Sequence, residues 1–416
     1  MFDPTDASAK SDDKHICAAG NTSGEGPRRG GRPPVTRLLY LVLLTPLLCA
    51  CTEEVPPPMP GVFGGPVLIE SSPPDDLSGM RFLDWDLESE AIRYNDLVVP
   101  YEMNTELFTD FALIRRAIYV PDGETVSYDE SDLLAFPVGT MIAQTFYIPA
   151  DLRQPDQDLT VIETRVLIHT SRGWQPWPFI WNDAQTDASL ELSGDTREIS
   201  FIDAEGTSQT ANYLIPQRNQ CRVCHERIIN EEGDTEQTPL GVAARNLNRD
   251  YDYGEGPQNQ LAYMAELGIL TGLPADASTI PAAYDFREVE ARGLDAVAPE
   301  DLELAARSYL DVNCAHCHNP AGIQGVTSRL FLHRDNTDEF SLGMCKRPGS
   351  AGAGTGGLTY DVVPGSPDES ILVFRIETTE VGAMMPLIGR SLRHTHGTEL
   401  IRAWVAAMDP VECTTM

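Results

Sequence analysis

The chain reads as an α+β multidomain protein: a β-rich N-terminal sandwich or barrel-like domain followed by helical segments. Two patterns carry this expectation. Between Asp84 and Pro216, short apolar runs are broken by turn residues at strand-like intervals. From about Pro299 onward, apolar residues recur at i, i+3, i+4 and i+7, the period of an amphipathic helix. A Pro- and Ala-rich stretch from about Pro274 to Pro281 separates the two kinds of text.

The first 50 residues precede any folded part. Residues 38–49 (LLYLVLLTPLLC) are an apolar run preceded by Arg28, Arg29, Arg32 and Arg37. A bilayer span needs about 20 apolar residues, so this run suits the core of a signal peptide instead. It ends in Leu48-Cys49-Ala50-Cys51, which resembles a bacterial lipobox with Cys51 as the lipidated residue; a signal-peptidase site near Ala50 is the alternative. Thr52 rather than Asp after Cys51 favours the outer membrane, on the periplasmic side of the envelope. Residues 51–80 are rich in Pro and Gly and read as a flexible tether. No later segment is apolar enough to cross a bilayer, so the lipid would be the only membrane attachment.

In the β-rich part, 81–216, a strand at 113–120 ends at the turn Pro121-Asp122-Gly123, and another is expected at 138–148. The run 161–170 alternates, with Ile162, Thr164, Val166 and Ile168 on one face. Residues 199–203 and 209–215 flank Ala204-Glu205-Gly206 as a hairpin. Trp174, Trp177, Phe179 and Trp181 fit packed core aromatics better than a binding surface.

Two pentapeptides carry the chemistry: Cys221-Arg-Val-Cys224-His225 and Cys314-Ala-His316-Cys317-His318. Cys-x-x-Cys-His is the spacing of covalent c-type haem attachment. Two thiols one helical turn apart can form thioethers with the two vinyl groups of one porphyrin, and the adjoining imidazole becomes the proximal iron ligand. A zinc or disulfide motif needs only the cysteines; the histidine is what haem adds. The cofactors expected are therefore two covalent haem c groups. One is bound by Cys221, Cys224 and His225 in 217–280, where 258–270 reads as a helix. The other is bound by Cys314, Cys317 and His318 in 295–416. There a helix bearing Leu302, Ala305, Ala306, Tyr309 and Leu310 runs into the motif. Ser366-Pro367-Asp368-Glu369 has the form of a capping box, and 398–408 closes the chain as a helix.

Of the cysteines outside the leader, anchor and motifs, Cys345 and Cys413 remain. In an oxidising compartment they are expected to pair, with two free thiols as the alternative. The chain has 30 Lys and Arg against 63 Asp and Glu, a net charge of −33. That argues against nucleic acid or an anionic membrane surface as partner. It suits a basic redox partner protein, and ordinary solvation of an acidic surface explains it at least as well. His394 and His396 read as exposed loop residues, with tuning of a haem edge as the alternative. Glu231-Glu232-Gly233-Asp234 reads as a solvated loop rather than a calcium site.

A helix running into Cys-x-x-Cys-His, a later Met-Pro and a C-terminal helix bearing Trp404 resemble a class I cytochrome c domain over about 120 residues. That resemblance implies that the first and last helices cross beside the haem. It also implies that the methionine before Pro386 is the distal ligand. Position favours Met385, with Met384 as the alternative. Taken whole, the chain resembles a family of dihaem c-type cytochromes of Gram-negative bacteria, often lipoproteins. The matching text includes Phe136-Pro-Val-Gly139, Glu163-Thr-Arg-Val166, Trp181-Asn-Asp183, Pro239-Leu-Gly241, Asn246-Leu-Asn248 and Met385-Pro386. The resemblance implies haem content and electron transfer; no substrate carries over from it, and no residue is assigned a catalytic role. Arg375 is a candidate propionate partner, solvent exposure being the alternative. The first haem's distal ligand stays open between Met264 and His169, with Met103 and Met141 as further candidates. An open sixth position would instead make the chain a dihaem oxidoreductase of peroxidase type. A binding protein with merely structural haems is the third reading.

Overall fold

Strands dominate because the β-branched and aromatic runs between 98 and 190 alternate over a surface covered on both sides. The computed structural model describes residue 66 and residues 72–322 and 329–413; the leader at 38–49, Cys51 and most of the expected tether lie outside them. Val98–Tyr101, Leu113–Tyr119, Met141–Pro149, Leu159–Thr170, Gly173–Trp181 and Ala188–Leu190 pair in chain order as one antiparallel sheet. On one face Tyr119, Met141, Val166, Ile168, Trp177 and Phe179 pack against Leu77, Met80, Phe82 and Trp85. The 3-10 turn Leu77–Met80 buries both its apolar ends, so the folded part begins inside the stretch expected to be tether.

The opposite face has two partners. Ile118, Ile142 and Leu167 meet Val242, Leu247, Leu261 and Met264, from the segment after the first motif. Ile114, Phe146 and Ile162 meet Phe201, Tyr213 and Ile215 of the antiparallel hairpin Asp195–Ile202 and Ser208–Ile215, a partial second layer. Ile162 is thus on the face opposite Val166 and Ile168. A register shift between Phe146 and Tyr147, opposite Glu163 and Val161, leaves Ile162 unpaired and reverses its side, as a β-bulge does. Trp174, Trp177, Phe179 and Trp181 are all buried.

The helical half of the expectation is corrected. The described residues contain sixteen strands and seven α-helices, of which only Leu302–Asn313 and Thr395–Ala407 exceed seven residues. Among the described residues no α-helical cytochrome c domain stands apart from the β-rich part. Among the described residues between those two helices, Ile371–Glu377 is the one α-helix in a run of turns. Pro348, five glycines from Gly349 to Gly357, Pro364 and Pro367 interrupt that text too often for longer helices. The capping box is not made: Ser366 makes no side-chain cap, Pro367–Glu369 is a 3-10 turn, and the helix begins at Ile371. The helix expected over 258–270 is Gln260–Glu266, followed by the strand Leu270–Thr271, which pairs in parallel with Val126–Ser127.

Leu302–Asn313 and Thr395–Ala407 pack together through Ala305, Tyr309, Leu310, Leu400, Ile401 and Trp404. At their closest approach a Cβ on Gly397 would sit 2.4 Å from the Tyr309 ring. A disulfide joins Cys345 to Cys413, with Cα atoms 5.2 Å apart. The described residues all belong to one compact unit, Pro58–Met416.

Candidate functional site

The first motif hangs from the end of the hairpin. After Ile215, the 3-10 turn Arg218–Cys221 leads into the single helical turn Arg222–His225. Arg218 clamps this turn to the sheet. Its guanidinium donates to Pro176 O at 2.8 Å and Gln175 Oε1 at 3.0 Å, and it lies 3.9 Å over the Trp177 ring. His225 Nδ1 is 2.7 Å from the carbonyl oxygen of Thr238. A carbonyl can only accept, so Nδ1 carries the proton and Nε2 is the electron-pair donor, the tautomer an iron ligand needs. Burial lowers the His225 pKa and keeps the ring neutral, against the Thr238 bond that raises it.

Cys221, Cys224 and His225 line a cavity that encloses, mouth included, about 1300 Å³. Its other walls include Met103, Ile142, Leu167, Trp177 and Leu240. Two arginines of the sheet also reach it. Arg116 ion-pairs with Glu106 at 2.9 Å, and Arg165 with the fully buried Glu163 at 2.5 Å. Tyr213 donates to that same Glu163 at 2.9 Å.

The second motif follows the helix Leu302–Asn313 without a break, and His318 repeats the arrangement of His225: its Nδ1 is 3.2 Å from the carbonyl oxygen of Leu330. Cys314, Cys317 and His318 line a second cavity of about 1400 Å³, mouth included. Met385, Leu372, Ile376 and Arg375 form part of its other walls. Met385 is anchored on both sides: its N–H donates to Arg375 O at 2.8 Å, and its carbonyl accepts from Arg390 Nε at 3.0 Å. Met384 is not among the described residues that line this cavity. Burial pushes the Cys314 thiol up to about 12 and also raises that of Cys221. Neither is poised as a thiolate.

The two motifs touch. Cys317 Sγ donates to Val223 O at 3.2 Å, and Cys224 shares hydrogen bonds with Cys317 and His316. Ile228 N–H donates to Ala321 O at 2.7 Å, and Arg245 pairs with Asp311 at 2.7 Å. No signal in the spacing of the motifs announces this contact.

The donors fit haem. Each site pairs two thiols with an imidazole whose proton is held on the far nitrogen, beside space on the scale of a macrocycle rather than an ion. Among the described residues no three His, Cys, Asp or Glu side chains converge as a bare-ion site. At the first cavity, Arg116 Nε and Trp177 Nε1 are buried donors without a hydrogen-bond partner, as an acceptor group of a bound cofactor would require. Arg375, on the second cavity, donates Nε to Ala383 O at 2.9 Å.

Of the distal candidates for the first site, Met264 packs in the core beside Leu261. His169 stacks on Trp174 at 4.6 Å, and Met141 is buried on the other face of the sheet. Only Met103 of the four is among the lining residues. Comparisons with protein-family models, with curated proteins and with solved structures return no match.

Proposed function

We propose that this chain is an exported dihaem c-type cytochrome that transfers electrons. Cys221 and Cys224 would hold one haem and Cys314 and Cys317 the other, with His225 and His318 as proximal ligands and Met385 distal to the second. Bound haem supplies reversible one-electron exchange at iron. The protein's own residues fix the imidazoles through Thr238 and Leu330, exclude water with apolar walls, and keep the centres adjacent through the Ile228–Ala321 backbone bond and the Arg245–Asp311 pair. The observation that carries the reading is the repetition of one geometry: a thiol pair and an Nδ1-anchored histidine on the wall of a cavity, twice, in mutual contact.

Export is supported by the apolar run 38–49 and by Cys51, which would anchor the chain through lipid. Among the described residues no helix is long and apolar enough to cross a membrane. The partner is a redox protein, reached across an acidic surface.

The test is expression in a host with cytochrome c maturation. Intact mass should rise by two haems; Cys221→Ala/Cys224→Ala and Cys314→Ala/Cys317→Ala should each lose one. A folded, colourless protein from that host sinks the proposal.

A further inference from the structure

We infer that Met103 supplies the sixth ligand of the first centre, an assignment that rests on the dihaem reading above. Met103 is buried, and it shares the cavity wall with Cys221, Cys224 and His225. A thioether is neutral and soft, so it can be enclosed in this apolar space without a counter-charge, and it favours ferrous iron.

Its mounting is rigid, as a ligand requires. The Glu102 N–H donates to Gln260 Oε1 at 2.7 Å, the Met103 carbonyl accepts from Arg249 Nη1 at 2.9 Å, and the Asn104 N–H donates to Asn246 O at 2.8 Å. The side chain lies against Gly241, where a Cβ would come within 2.3 Å of Met103 Cε and where φ is +73°. Only glycine leaves this room. Three residues earlier in the same segment, Thr238 holds the His225 imidazole through its carbonyl. One short stretch, 238–241, therefore positions both the proximal histidine and the methionine.

His316 is the rival on the same cavity. Its Nδ1 is 3.1 Å from Val312 O, and it hydrogen-bonds Cys224, which places it at the attachment edge. An open iron is the other rival.

The experiment uses the full-length holoprotein with two haems confirmed by mass. Ferric EPR counts spin states, and the long-wavelength sulfur-to-iron charge-transfer band reports methionine ligation. Wild type should show two low-spin haems. Met103→Ala should turn one high-spin and remove about half of the band. Met385→Ala should remove the other half, and Met264→Ala should change nothing. If Met103→Ala fails to fold, Met103→His takes its place: low-spin haem with half the band lost supports the assignment. A full band in either Met103 variant overturns it. So does a high-spin haem in wild type, or a switch to high spin caused by His316→Ala instead. Fewer than two haems by mass refutes the dihaem reading itself, and the assignment falls with it.

Discussion

The Cys317 thiol donates to the Val223 carbonyl at 3.2 Å across 94 residues of sequence. This contact joins the interior of one Cys-x-x-Cys-His to that of the other. It lies at the surface, and the segments that make it are tied together by a backbone bond from Ile228 to Ala321 and by the Arg245–Asp311 pair.

The Arg245–Asp311 pair is the part of this clamp most open to mutation. Both side chains are 13% exposed and 2.7 Å apart. Removing one partner of a buried pair leaves an uncompensated charge and costs about 3–5 kcal/mol. Arg245→Ala should show a loss of that size in urea denaturation. A loss under about 1 kcal/mol would place the pair with exposed salt bridges instead.

Gly194 packs against residues 215–217, just before the first motif. With φ at +72°, it faces Ile215 O and Gln217 N, both 2.6 Å from where a Cβ would stand. Gly173 has a similar φ of +86° and open space around it. Gly173→Ala should cost only the left-handed penalty of about 1–2 kcal/mol. Gly194→Ala should cost clearly more and lower haem content at the first centre. Equal melting temperatures for the two variants would contradict the clash.

His394 and His396 are not the exposed loop residues that the sequence suggests. His394 is buried, stacked on Phe108 at 4.2 Å, with Nδ1 3.0 Å from Tyr309 Oη and Nε2 2.5 Å from Glu290. His396 Nδ1 meets the other Glu290 oxygen at 3.2 Å, with Glu205 at 3.8 Å on its far side. Burial alone would raise Glu290, but the two histidines outweigh it and hold the carboxyl at about 2. The Glu290 hydrogen bond in turn raises His396. A depressed carboxyl contributes stability above its ordinary pKa and loses it as pH falls from about 4.5 toward 2. A raised histidine contributes below about 6.5 and loses it as pH climbs through its folded value. Stability measured by denaturant across pH should therefore decline on both sides, and Glu290→Gln should flatten both arms. Unchanged slopes in that variant would refute the linkage.

The candidate haem motifs were legible from residues alone. Cys-x-x-Cys-His is contiguous, so its ligand set needs no fold to assemble it, and the strands over 113–215 follow from alternation. What alternation could not convey is the reversal at Ile162, because a bulge is a register event between two strands rather than a property of one. Helical periodicity at 302–310 and 398–408 was real, yet it did not make a separate helical domain. Among the described residues the Gly- and Pro-rich text between those helices holds only one short α-helix, and sheet and helices fall in one compact unit.

Tertiary structure alone decided the rest. It put Met385, which its place before Pro386 already favoured over Met384, among the residues that line the cavity of Cys314 and Cys317. It brought Met103, more than a hundred residues upstream, to the wall beside Cys221, and it set the two motifs against each other. Sequence specifies which atoms can bind; proximity between distant segments depends on long-range packing, which no local pattern encodes.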